Sequence, residues 1–519
     1  MQRIIKRVID TVILILFLIT FLGTLVTTNL NGQVIGGIGA VFVIIFYLGY
    51  LFRNHLSFLK NIQKMTGKYH VDAKWFFSVL ALIYQMILLI SLATETGFDT
   101  GIMKWAATSK SIVPESYLAN YFSQNPTDLS FMFVERGLYH IVNGLNLTNF
   151  TLVLDIINLI LVDISIVLVG LVLKRHLNKA TVWVLAPLVI LISPWIVIVY
   201  TDTFVLPFIS GMILMMDILA TDWLASKKPK KQFIWQSALL GLLTWAAYAL
   251  KPTAMILIIA LILELAFVLI FNRTKFDLKT VALSLLVAAV CFGVCQGANQ
   301  LALKHQQFVS INPNQKELPS HYLMMGMNKE TYGSYSHQDY LYSTKFPTKK
   351  TQQSANFKMI RKRLQNFGFG GYARFLLAKN YYNTNDGTLG WLKEGDFFNK
   401  PSFKKHKFIR SFYYPYGSNL RISQTILQAI WILIFAGVVF SFLDKIFFIR
   451  VLRMSLFGLL FYLLLFEGGQ SRYLIQFLPI IYVLAIFGWQ SIFVWFKKKK
   501  IMQRKDGKLV VYLGVKKGK

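Results

Sequence analysis

Apolar runs of about twenty residues, separated by short polar breaks, recur from the N-terminus almost to the C-terminus. A bilayer core about 30 Å thick needs roughly 20 apolar residues of helix to cross it. The pattern therefore predicts about twelve transmembrane helices, near 9–28, 34–52, 76–94, 150–173, 180–199, 203–221, 233–250, 253–271, 279–299, 422–443, 447–466 and 473–495. The expected fold class is an all-α, multi-pass membrane protein. The first run has a basic start and no small-residue cleavage site, so it reads as an uncleaved helix.

Two hydrophilic stretches interrupt the pattern and set the organisation. An N-terminal transmembrane hairpin and its following loop occupy 1–75, and a transmembrane core occupies 76–300 with a first outer loop at 95–149. One large loop region covers 301–421, further transmembrane helices cover 422–496, and a basic tail covers 497–519. Within the large loop, "SANFKMIRKRLQNFGFGGYARFLLAKNYY" has the spacing of an amphipathic helix. In the first outer loop, the apolar spacing after Asp99 suits a helix lying in the membrane interface.

Composition agrees: 519 residues with 55% hydrophobic and 15% charged side chains are too apolar for a soluble globule. The net charge of +32 raises nucleic acid as a partner, but the Lys and Arg sit in short clusters beside apolar runs rather than in one aromatic-interleaved groove. Topology explains them instead. "RNHLSFLKNIQKMTGKYH", "KRHLNK", "SKKPKKQ", "NRTKFDLK", "DKIFFIR" and the tail beginning "KKKK" alternate with "NGQ" and "YTDT", so the positive-inside rule places the basic set and both termini on the cytoplasmic side of a cell membrane. The two cysteines, Cys291 and Cys295, lie four apart in an apolar run and are too few for a zinc cage.

On that orientation the less common polar groups collect at the outer ends of helices. They are Asp99, Asp128, Asp202, Lys251, Glu467 and Arg472, with the large loop on the same side. Asp202 sits in a tight hairpin, where a turn-forming Asp is the ordinary reading, and Lys251 precedes Pro252 close to the surface, where lysines snorkel. "LLLFEGGQSRYLIQFLP" places Glu467 and Arg472 on either side of two glycines, with an ion pair between them expected across the turn.

In order, spacing and side, "GFDTG", "YFSQNPTD", "YTDTF", "LKPT", "HYLMMGMN", "NDGTLGW" and "RYLIQFLP" resemble the GT-C superfamily of polytopic glycosyltransferases, over about 76–495. The likeness is to protein O-mannosyltransferases and aminoarabinose transferases, of a Gram-positive type. Two extra N-terminal spans and a single Asp99 in place of an adjacent acidic pair depart from the better-known members.

The resemblance implies a GT-C-like fold and transfer of a sugar from a polyprenyl-phosphate donor to an extracytoplasmic acceptor, a cell-envelope glycopolymer, glycolipid or protein. Asp99 would then be the catalytic base, and Lys251 and Arg472 would bind the donor phosphate. Asp128, Asp202, Glu467, Tyr473, His321, Asn385 and Asp386 would support these or contact sugar and acceptor. The cofactor stays open, since nothing in the sequence requires a divalent metal. A transporter or flippase is the main alternative, suggested by Asp155, Asp163, Asp217 and Glu264 inside expected spans. A polysaccharide polymerase or ligase is another.

Overall fold

The computed structural model describes residues 2–31, 34–52, 73–177, 182–224, 231–271, 276–399, 401–498, 502–505 and 508–511. The basic loop expected over 53–72 lies outside the described residues, as do parts of the other basic clusters and most of the tail. Ten described helices are long and apolar enough to cross a membrane, and two shorter apolar stretches, Gly36–Ile45 and Val182–Val197, fall where two further spans are expected. A short antiparallel strand pair, Met502–Lys505 with Lys508–Val511, follows the last helix.

Burial separates central helices from peripheral ones. The Thr201–Trp223 span is 83% buried inside the protein, whereas the Leu278–His305 span is only 17% buried and turns Leu286, Val290 and Val294 outward. Apolar residues exposed on a spanning helix face lipid, which is as apolar as they are. Helix Leu420–Phe440 packs along Leu478–Lys498, and glycine allows it: a Cβ on Gly488 would lie 1.7 Å from the Gly437 carbonyl oxygen.

The expected span at 180–199 is instead a broken series, Val182–Leu185, Ala186–Ile192 and Ser193–Val197. Pro187 and Pro194 lie at the starts of its second and third pieces. Proline cannot donate to a preceding turn, so it begins helical pieces and interrupts continuous ones.

Between Leu278–His305 and Leu420–Phe440, the long Lys349–Thr384 element packs over one end of the bundle, against Phe447–Leu465 and Ser471–Phe477. It bends at Gly368, whose φ of +57° favours glycine. Its last turns are anchored by Lys379. That side chain is fully buried and donates from Nζ to the carbonyls of Gly326 (2.6 Å), Leu464 (3.2 Å) and Phe466. Three acceptors match the three N–H donors of an ammonium, although burial draws the lysine pKa down to about 7.

Candidate functional site

Local chain geometry brings the singled-out polar residues to that same end of the bundle. Asp202 stands in the first turn of the short helix Thr201–Phe204, where a carboxylate is favoured by the helix dipole. Lys251 is extended because Pro252 follows and starts the next helix. Arg472 enters through "EGGQ": Gly469 has φ +82°, and a Cβ on Gly468 would lie 2.6 Å from the Leu463 carbonyl oxygen. The two glycines are thus what lets the chain turn tightly enough to set Arg472 inward.

Asp202 stands between the two cations. Lys251 Nζ donates to its Oδ1, and Arg472 Nε lies 3.7 Å from its Oδ2 and 3.2 Å from Oε1 of Glu394. Asp202 is 1% and Arg472 6% exposed, so these charges interact in a setting that water screens weakly. The guanidinium also lies 5.3 Å from the Phe98 ring, 5.2 Å from Tyr200 and 5.7 Å from Tyr473, within range of cation–π attraction. Yet Arg472 Nη1, buried, has no hydrogen-bond partner among the described residues, and neither does Asp202 Oδ2.

Three further carboxyl groups are each met by a tyrosine. Tyr200 donates to Asp99 (3.2 Å), Tyr121 to Asp128 (3.0 Å) and Tyr473 to Glu467 (2.7 Å). The expected pairing of Glu467 with Arg472 is replaced by this tyrosine contact, while Arg472 turns to Asp202 and Glu394. Burial, reinforced by the neighbouring Asp99 charge, pushes Asp128 up to about 7. Burial also raises Glu467 and Glu394, against the pull of Tyr473 on the first and Arg472 on the second. Two acids in adjoining environments, one of them holding a proton near neutral pH, can divide proton-accepting and proton-holding roles. Among the described residues no group of three or more His, Cys, Asp or Glu is placed to hold a metal ion.

His321 is buried on the Pro319–Met325 helix, 4.0 Å from Glu317, and burial lowers its pKa. Asn385 caps the Lys349–Thr384 element, and its carbonyl accepts from Gln428 (2.9 Å). The carboxylate of Asp386 accepts from Asn29 (2.7 Å), from Thr388 N and Oγ1 (2.8 and 2.7 Å) and from Gly390 N (3.2 Å). Asp386 is therefore a turn-builder: it sets Gly390, at φ +81°, where a Cβ would lie 3.3 Å from the Arg472 backbone nitrogen.

Sequence reasoning missed Glu394, Tyr200 and Tyr121. Glu394 had a signal, since it is an acid within "GWLKEGDFF" of the same loop, but no local spacing ties it to Arg472. The tyrosines, among 24 in the chain, had none.

A family model described as "Conserved hypothetical integral membrane protein" matches residues 1–493. The chain belongs to that family. No curated protein and no solved structure matches it. For this integral membrane protein the functional reading therefore lies in the chemistry of the site itself.

Beside the charged cluster this protein has a cavity of about 860 Å³, lined by the Phe98–Thr108 helix, Tyr117 and the start of the Phe150–His176 helix. Phe98 separates the two: it lines the cavity and meets Arg472, while the Asp99 side chain lies on the charged side with Tyr200.

Proposed function

We propose that this integral membrane protein is a glycosyltransferase of the GT-C kind, moving a sugar from a polyprenyl-phosphate donor to an extracytoplasmic cell-envelope acceptor. The observation that carries the reading is the convergence of Lys251 and Arg472 with Asp99 and Asp128 at one end of the bundle, with Arg472 Nη1 unsatisfied. A buried guanidinium donor without a partner is costly unless an acceptor arrives. A phosphate oxygen is the acceptor its planar fork suits best.

In this reaction the acceptor hydroxyl oxygen forms a bond to the anomeric carbon as that carbon's bond to the phosphate oxygen breaks. The hydroxyl proton passes to Asp99, and the electron pair of the broken bond leaves with the lipid phosphate. Lys251 and Arg472 stabilise the charge that develops there. Asp128, holding a proton near neutral pH, spares Asp99 a second negative neighbour.

The acids that favour a transporter are mostly engaged. Gln85 donates to Asp163 (2.7 Å), Arg175 and His176 hold Asp217 (2.6 Å each), and Arg450 holds Glu264 (2.7 Å). Such pairing is how ionisable groups are accommodated within a membrane.

The test uses purified protein in lipid vesicles, radiolabelled polyprenyl-phosphate hexoses and an envelope fraction from a strain lacking the protein. Wild type should move label into the envelope fraction, and Asp99→Asn should lower turnover by about 10²–10⁴-fold while donor binding persists. Absence of transfer by wild type with every donor, or full turnover by Asp99→Asn, would refute the enzyme or its base respectively.

A further inference from the structure

The cavity beside Phe98 has features that the charged cluster does not use. Trp105 and Tyr117 project from different segments, yet their rings lie parallel, 18° apart in plane with centroids 6.2 Å apart. They are 55% and 61% exposed, and both line the cavity. Two flat aromatic faces held side by side at a cavity wall beside polar groups suit stacking against a ligand with an apolar face and a polar rim.

The surrounding groups are polar but nearly neutral in sum. Lys104 is paired with Glu95 and donates to Thr151 (3.0 Å), which in turn donates to Glu95 (3.0 Å). The one cation and the one carboxylate facing the cavity thus cancel, and a polyanion would gain little there. Asn149 and Asn399 add amides on either side. The volume falls within the range of about 300–1,000 Å³ usual for ligand sites.

The cavity is also tied to the proposed chemistry. Phe98, between the cavity and Arg472, is a bulky residue at φ +41°, a strained conformation that persists only where its surroundings enforce it. The enforcement is visible: Gly97 N donates to the Asp396 carbonyl (2.9 Å), Asn399 N donates to the Glu95 carbonyl (2.7 Å), and a Cβ on Gly97 would lie 2.2 Å from Asp396 O. The strap that carries Glu394 to Arg472 therefore continues into the cavity wall at Asn399.

We infer that this cavity is the acceptor subsite and that it takes a neutral, polyhydroxylated glycan chain, with sugar faces against Trp105 and Tyr117 and hydroxyls on the amides and the Glu95–Lys104–Thr151 network. This rests on the glycosyltransferase reading for its role, while the binding itself is measurable without turnover.

Wild-type protein in nanodiscs is titrated with cellohexaose and with chitohexaose, following the tryptophan fluorescence difference against Trp105→Phe and ligand-observed NMR. Saturable binding of at least one oligosaccharide, weakened roughly tenfold or more (~1.4 kcal/mol) by Trp105→Ala and by Tyr117→Ala and retained in Trp105→Phe, is the expected result. No saturable binding by wild type, or binding indifferent to both alanine variants, overturns it. Quenching of Trp105 by brominated lipid also overturns it, because the ring would then be a bilayer anchor. Unchanged thermal midpoints in the variants separate a lost site from a lost fold. If the oligosaccharide binds at these rings but no sugar is ever transferred from a polyprenyl-phosphate hexose, the glycan site stands and the transferase reading fails.

Discussion

Arg472 shows how much rests on the shape of a single side chain. Its charge is met by Asp202 and Glu394, yet neither carboxylate is aligned to take its full set of donors. Arg472→Lys keeps the charge and removes the fork, so donor binding should weaken by about tenfold or more in a direct polyprenyl-phosphate binding assay. Wild-type affinity in that variant would sink the phosphate-clamp role. Asp128 carries a second prediction. Its native pKa of about 7 lies above the ordinary 3.8, so between those values the folded protein keeps a proton that the unfolded chain has released. Stability from this group is present below pH 3.8 and is lost as pH rises through about 7. The thermal midpoint of Asp128→Asn should fall less steeply than that of wild type over this window; wild-type turnover should also decline above about pH 7, where ionised Asp128 adds negative charge near the developing phosphate charge, and Asp128→Asn should lack that decline. Parallel profiles for the two proteins would remove Asp128 from the account. At this scale the sequence pointed to Asp99, Asp128, Asp202, Lys251 and Arg472 because rare charges at helix ends stand out against apolar runs. It did not point to Glu394 or Tyr200, whose partners are distant in the chain and whose residue types are unremarkable in their segments.

Elements were legible where their apolar pattern was long, and less so at their ends. The observed helices Gln2–Leu25 and Leu278–His305 run beyond the expected 9–28 and 279–299 at one end, because charged and polar residues continue a helix past the hydrocarbon as readily as apolar ones do. The middle of the large loop did form the helix its spacing suggested, at Lys349–Thr384. What the pattern could not express was its anchoring, since a lysine in an amphipathic helix normally faces water, and Lys379 points instead into three carbonyls. Lys379→Met keeps the stem and removes the donors. Leaving buried carbonyls unsatisfied costs about 1–3 kcal/mol each, so the variant should melt at a clearly lower temperature in detergent than wild type. An unchanged midpoint would show that this contact does not hold the loop to the bundle.

Whole-molecule orientation is a matter of charge placement, and the structure supplies better reporters for it than sequence alone. Lys350 and Lys445 are exposed and lie at opposite ends of the bundle, the first at the end that holds Arg472 and the second in the turn before Phe447–Leu465. With Cys291 and Cys295 replaced by alanine, Lys350→Cys should react with an impermeant thiol reagent in intact cells, and Lys445→Cys should react only after the membrane is opened. The reverse pattern would put the charged cluster in the cytoplasm and exclude an extracytoplasmic reaction.

The ion triad also has an order of arrival. During synthesis Asp202 and Lys251 emerge 49 residues apart and can pair as soon as their helices insert, but Arg472 belongs to the Ser471–Phe496 span, made much later. Until then one oxygen of Asp202 waits without that cation, and Glu394, made shortly before Arg472, joins it, so a half-built bundle contains carboxylates it has not yet neutralised. Insertion of the Ser471–Phe496 span is the event that balances them, so the charged centre closes only once that span is in place.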